Sequence, residues 1–218
     1  MHRYQIIIEY VGTSYVGWQI QKQGNSIQKT IQSVLSKLLR QKITLHGSGR
    51  TDAGVHALEQ SAHFDIKNKI QNIDKVIKSL NFFLNNKMIS IINIKKKNNN
   101  FHARYSAKER IYLYIIRNRL SPSIVYKDRE WHIRKKLDIS LIKKGAKKLI
   151  GTHDFSTFRS SNCNAKSPIR TINKIIVNKS KNCIKLKFKS KSFLKNQVRS
   201  MVGCLKYLGE KKWNLKKF

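Results

Sequence analysis

Carboxylates are scarce in this chain. Eleven Asp and Glu residues stand against 46 Lys and Arg in 218 residues, a formal net charge of +35. The shortage argues against two hydrolase chemistries. A metal-dependent nuclease needs acids clustered around a divalent ion, and only Asp128 and Glu130 lie close together, away from any glycine loop. A glycosidase-type hydrolase needs two opposed carboxylates, and Asp52 has no evident partner acid. Cysteine is also rare. Cys163, Cys183 and Cys204 are odd in number, far apart and without a CxxC pair, which argues against structural zinc and fits a reducing compartment. The seven histidines show no metal spacing. No run of roughly eighteen apolar residues occurs, and MHRYQIIIEY alternates like a strand rather than a signal peptide. The expectation is a soluble cytoplasmic protein with no membrane contact.

What the chain has in excess is positive charge, which makes a polyanion, and nucleic acid first, the expected partner. Part of that charge has a second source. Abundant Ile and Asn, and runs such as KKKNNN from Lys95 to Asn100, also follow from a coding bias toward A and T, so single lysines carry little information.

The chemistry concentrates in GSGRTDAGVHA, Gly47 to Ala57. Three glycines frame Arg50, Thr51 and Asp52, as in an irregular loop held in one shape. Ile43 to Gly47 reads as a short strand before it. After it, Gln60, Ala62, Phe64 and Ile66 alternate with Glu59, Ser61, His63 and Asp65, the period of a half-buried strand. The bland alternative is a turn whose Asp52 caps backbone amides.

The segment GRTDAGVHA, Gly49 to Ala57, resembles the signature of the TruA-type tRNA pseudouridine synthases, unbroken over nine residues. The resemblance implies that Asp52 is the essential catalytic residue. A weaker match precedes it: VGTSYVGWQ resembles the family's YDGTxYxGWQ, with Val11 in place of the acidic residue. FHARYSA, Phe101 to Ala107, resembles a segment that leads into a strand bearing an active-site tyrosine, which falls on Tyr112. The closing segment FLKNQVRSMVGCLKYLGE resembles the family's FxxxMVRxxVG, whose arginine pairs with the catalytic aspartate and falls on Arg199; Lys195, Asn196 and Gln197 depart from the usual pattern. Family members run on for roughly a helix and a strand beyond this point. The resemblance therefore implies a shortened second half.

Periodicity supplies the remaining elements. Arg3 to Tyr10 reads as a strand, Ser26 as the cap of a helix running to Arg40, Ile73 to Leu84 as a second helix and Met88 to Ile94 as a strand, with Lys95 to Asn100 a solvated loop. Asp74 and Asp138 sit where helix caps belong. Asp138 opens a helix ending near Gly151, GTHDFSTFR reads as structural, Thr171 to Asn178 and Cys183 to Lys189 read as strands, and Phe193 onward as a helix facing Phe193, Val198, Met201 and Leu205 inward.

Together these predict an α+β protein of the pseudouridine synthase fold. It has two similar halves, residues 1–100 with the catalytic loop and 101–218 after it, each an antiparallel sheet flanked by helices, and an active cleft between them. The resemblance implies isomerisation of uridine to pseudouridine at tRNA positions thirty-eight to forty, by a homodimer, without cofactor or metal. Asp52 acts at the ribose, whether on C1′, through a glycal or elsewhere. Tyr112 stacks on the base, Arg199 keeps Asp52 ionised, and Arg50 fills the space of the flipped nucleotide or grips its phosphates. A non-catalytic basic RNA-binding protein derived from such a synthase is the alternative.

Overall fold

Strand β1, His2–Tyr10, buries Tyr4, Ile6, Ile8 and Tyr10 and turns Arg3, Gln5, Ile7 and Glu9 the other way. That alternation makes it the centre of a four-stranded sheet. A computed structural model describes residues 1–218, which fold as two compact units, Met1–Ala107 and Lys108–Phe218. The architecture is α+β.

In the first unit β1 pairs antiparallel with β3, Ala57–Ile66, and with β4, Ile89–Lys97, while the two-residue β2, His46–Gly47, edges β3. Helices α1, Ile27–Leu38, and α2, Ile73–Leu84, bury Ile27, Ile31, Leu35, Leu80 and Leu84 in the same core as Tyr4, Ile6 and Phe64. Ser26 caps α1 by accepting from the Lys29 N–H at 3.2 Å. The helix stops at Leu38 rather than Arg40, which adopts a left-handed φ of 51°. In α2 the cap is Asn72, not Asp74; Asp74 sits in the first turn, where its charge still meets the positive end of the helix.

Three further expectations shift in this unit. Ile43 to Leu45 stays outside the sheet, because α1 side chains satisfy its backbone: Ser36 Oγ accepts from the Ile43 N–H, Gln32 Oε1 from the Leu45 N–H, and Gln28 Nε2 donates to the Leu45 carbonyl. Met88 closes a tight turn at φ 55°, so β4 begins one residue later. Lys95 to Lys97 are strand rather than loop, since Gln5, Tyr4 and Arg3 pair with them in register. The segment from Phe101 to Ala107 belongs to this unit. Arg3 Nη1 donates to the carbonyls of Asn99 and Phe101, both at 2.7 Å.

The second unit holds a five-stranded sheet in the order β6, β5, β9, β8, β7, with β5 at Arg110–Asn118, β6 at Trp131–Ile133, β7 at Gly151–Asp154, β8 at Ile169–Ser180 and β9 at Cys183–Ser190. Its pairs are antiparallel except β5 with β6, which run parallel, so the expectation of a purely antiparallel sheet fails at this edge. β6 is only three residues long and showed no periodicity. Buried Asn118 fixes it, donating to the carbonyls of Ile133 and Lys135 at 2.9 and 2.8 Å and accepting from the Leu137 N–H. Helix α3, Ile139–Lys148, is capped by Asp138. With α4, Gln197–Gly209, it covers Ile184, Leu186 and Phe188 of β9. α4 starts at Gln197, not at Phe193, because Asn196 turns left-handed at φ 62° and Gln197 Oε1 accepts from the Leu194 N–H at 2.8 Å.

Candidate active site

The Asp52 loop is fastened at four points by its own unit. The Trp18 N–H donates to the Thr51 carbonyl at 3.0 Å, the Tyr10 hydroxyl meets Thr51 Oγ1 at 2.8 Å, the Gly12 N–H donates to His56 Nδ1 at 3.1 Å, and Gln60 Nε2 donates to the Gly49 carbonyl at 2.6 Å. Inside the loop the Val55 N–H closes a turn on the Asp52 carbonyl at 3.2 Å. Two glycines make the approach possible. A Cβ on Gly12 would lie 2.0 Å from the Val55 carbonyl oxygen, and one on Gly17 would lie 2.6 Å from that of Thr51, where φ is also +110°. The partly matching VGTSYVGWQ segment is thus the loop's bed, and its glycines and Trp18 do that work while Val11 stands in the acid's place.

Asp52 is half-buried and Arg50 is exposed. The ion pairs engage other acids: Asp65 with Arg3, Glu109 with Lys189, Glu130 with Arg117, Asp138 with Lys211, and Glu210 with Lys206 and Lys212. Asp154 accepts from the Ser156 N–H. Glu9, Glu59, Asp74 and Asp128 are exposed. Among these acids Asp52 alone combines partial burial, a constrained backbone and no ion pair to a basic residue of its own unit, the setting in which a carboxylate serves as a nucleophile or base.

In the second unit, Tyr112 and Tyr114 share the inner face of β5 beneath α4. Tyr112 is half-buried and meets Phe193 edge-on at 5.0 Å. Arg199 projects from α4 as an exposed residue between buried Val198 and Met201. Tyr114 stands beside Tyr112, two places further along the strand. Burial pushes its hydroxyl up from the ordinary value while the Arg199 cation pulls it back, so Arg199 and Tyr114 share one electrostatic neighbourhood.

His63 was missed. Alternation puts it on the face it shares with Glu59, Ser61 and Asp65, away from buried Ala62 and Phe64, yet it is 1% exposed. The segment after Phe101 covers it: the Ala103 N–H donates to His63 Nδ1 at 3.2 Å, and the His46 and His102 rings lie 4.9 and 4.6 Å away. Burial, then the neighbouring His102, Arg3 and His46, hold its pKa down to about 4, with Asp65 opposing. His63 is therefore neutral when folded. An unfolded chain protonates near the ordinary 6.5, so the stability that His63 contributes is full above that value and is lost as pH falls toward 4. His63→Asn, which keeps an acceptor, is expected to lose less stability than the parent between about pH 7 and 4.5, by on the order of 2 kcal/mol. Denaturant titrations at the two pH values check this; equal losses would show that His63 is not buried as a neutral base.

A loop that presents one carboxylate, on a chain of such positive charge, places the molecule among basic α+β proteins suited to chemistry on a polyanion. A family model described as tRNA pseudouridine synthase matches residues 6–106 and 146–218. The tRNA pseudouridine synthase A of Pelagibacter ubique is 64% identical over 218 residues, covering 100% of this chain and 89% of that protein. That of Neorickettsia sennetsu is 44% identical over 203 residues, 93% of this chain and 84% of its own length, and that of Brucella ovis is 41% identical over 215 residues, 98% and 85%. The chain belongs to the tRNA pseudouridine synthase family, an isomerase family.

Proposed function

We propose that this chain converts uridine to pseudouridine in the anticodon arm of tRNA, at positions thirty-eight, thirty-nine or forty, with Asp52 as the catalytic carboxylate. The observation that carries the reading is the unbroken GRTDAGVHA segment folded as a fastened loop around a half-buried Asp52. The reaction is an isomerisation. The N1–C1′ bond breaks, the uracil turns while held, C5 bonds to C1′, and a proton leaves C5 as one is gained at N1.

Each residue has one part in this proposal. Asp52 attacks or assists at the ribose as nucleophile or base. Tyr112 stacks on the uracil and helps move the C5 proton. Arg199 keeps the catalytic carboxylate ionised, and Arg50 holds the phosphates or space of the flipped nucleotide, whose extrusion costs a few kcal/mol. Work as a homodimer in the cytoplasm is part of the same reading. Incubating the purified chain with tRNA and mapping pseudouridine tests it. Modification at those positions supports the reading; tRNA that binds but stays unmodified would make the chain a basic RNA-binding protein without turnover.

A further inference from the structure

We propose that the face of the first sheet turned away from its helices carries, beside the segment that covers His63, a nucleotide subsite for RNA, in which Lys95 and Lys97 take backbone phosphates while Gln5 and Asn93 meet the base or ribose above Ile7. The inference rests on the reading of RNA as substrate and adds a site away from the Asp52 loop.

Register builds the site. Gln5 pairs with Lys95, Arg3 with Lys97 and Ile7 with Asn93, so these side chains rise on the face opposite buried Tyr4, Ile6 and Ile94. Between Gln5, Ile7, Asn93, Lys95 and Lys97 lies a cavity of about 190 Å³. That is smaller than the roughly 300 Å³ at which small-molecule pockets begin. It suits one unit of a larger ligand better than a free metabolite.

Its chemistry fits a nucleotide. Gln5 Nε2 donates to Ser61 Oγ at 2.9 Å, which fixes the amide and leaves its Oε1 and second N–H for a ligand. Asn93 offers a second amide, Ile7 an apolar floor, and the two lysines a pair of cations, Lys95 exposed and Lys97 held with its Nζ 5.3 Å from the centre of the Phe101 ring. One acid on this face is neutralised: Asp65 accepts from Arg3 Nε and Nη2 at 2.8 and 2.7 Å. Glu9 follows two places beyond Ile7 on the same strand. Lys96, by contrast, pairs with buried Tyr4 and turns to the other face. The lysine run therefore splits two against one, as strand alternation requires, so that Lys95 and Lys97 alone of the three reach the cavity.

The test compares Lys95→Gln with Lys97→Gln as a double variant, Lys96→Gln alone, and Asn93→Asp, all in the full chain, by tRNA affinity across a salt series. The double variant is expected to lower the slope of log K against log salt by roughly 1.4 to 1.8, from two phosphate contacts at about 0.7 to 0.9 each. Lys96→Gln leaves the slope unchanged. Asn93→Asp, which sets a carboxylate in the cavity, weakens binding at least about tenfold. Lys95→Arg with Lys97→Arg restores the parent slope, which separates lost contacts from misfolding. Equal effects of all three lysines, or none from the double variant, would overturn the subsite. Pseudouridine formation by the parent is scored separately. If it occurs while the lysine slopes do not split, the subsite alone fails; if it is absent while they split, the subsite stands and the reaction assignment falls.

Discussion

Asp52→Asn is expected to abolish pseudouridine formation while leaving the fold and tRNA affinity in place. The amide keeps the shape of the side chain but can neither attack as an anion nor accept a proton. The loop survives the change because its fastenings run through Gly49, Thr51, the Asp52 backbone and His56, none of which uses the Asp52 carboxylate. The loss at the chemical step should therefore be several orders of magnitude. Single-turnover assays on tRNA, with binding and melting temperature measured beside them, check the expectation. Turnover above a trace in Asp52→Asn would remove Asp52 from the catalytic role, and lost binding would make it a structural residue of the loop.

The second large effect is expected at Arg199. A guanidinium presents a planar fork that suits a carboxylate, whereas ammonium is a compact point charge without bidentate geometry. Arg199→Lys keeps the charge and loses the fork. The single-turnover rate at saturating enzyme is expected to fall by about ten- to a hundredfold, one to three kcal/mol, with little change in tRNA affinity. The substitution carries small risk to the fold, because Arg199 is exposed while its neighbours Val198, Met201 and Val202 fill the core. An unchanged rate would reduce Arg199 to a solvated residue on the outer face of α4.

Much of this was legible in the sequence because its signals are local. The apolar alternation of β1 and β9 and the caps Ser26 and Asp138 sit within a few residues of what they determine. GRTDAGVHA needed no structure to be noticed. What was hidden depends on partners far along the chain. His63 is buried by a segment some forty residues away, and Lys95 to Lys97 become strand only through pairing with Arg3 to Gln5. Tertiary pairing there overrides a composition that reads as loop. Ile43 to Leu45 failed the other way: it has strand character, but α1 takes its hydrogen bonds first. β6 is too short to show a period, and a single buried Asn118 places it. In the candidate site, Asp52 and Arg50 stand within a recognisable motif, whereas Gly12 and Gly17 as the loop's bed required the close approach of two backbones to be seen.

A single carboxylate in the fastened loop is expected to carry the isomerisation of uridine in tRNA. The most direct measurement is position-resolved mapping of pseudouridine in one anticodon-arm tRNA after incubation with the parent chain and, in parallel, with Asp52→Asn. Pseudouridine is expected at position thirty-eight, thirty-nine or forty with the parent and none with the variant; the same yield from both, or none from the parent while it binds the tRNA, would rule out that role for Asp52.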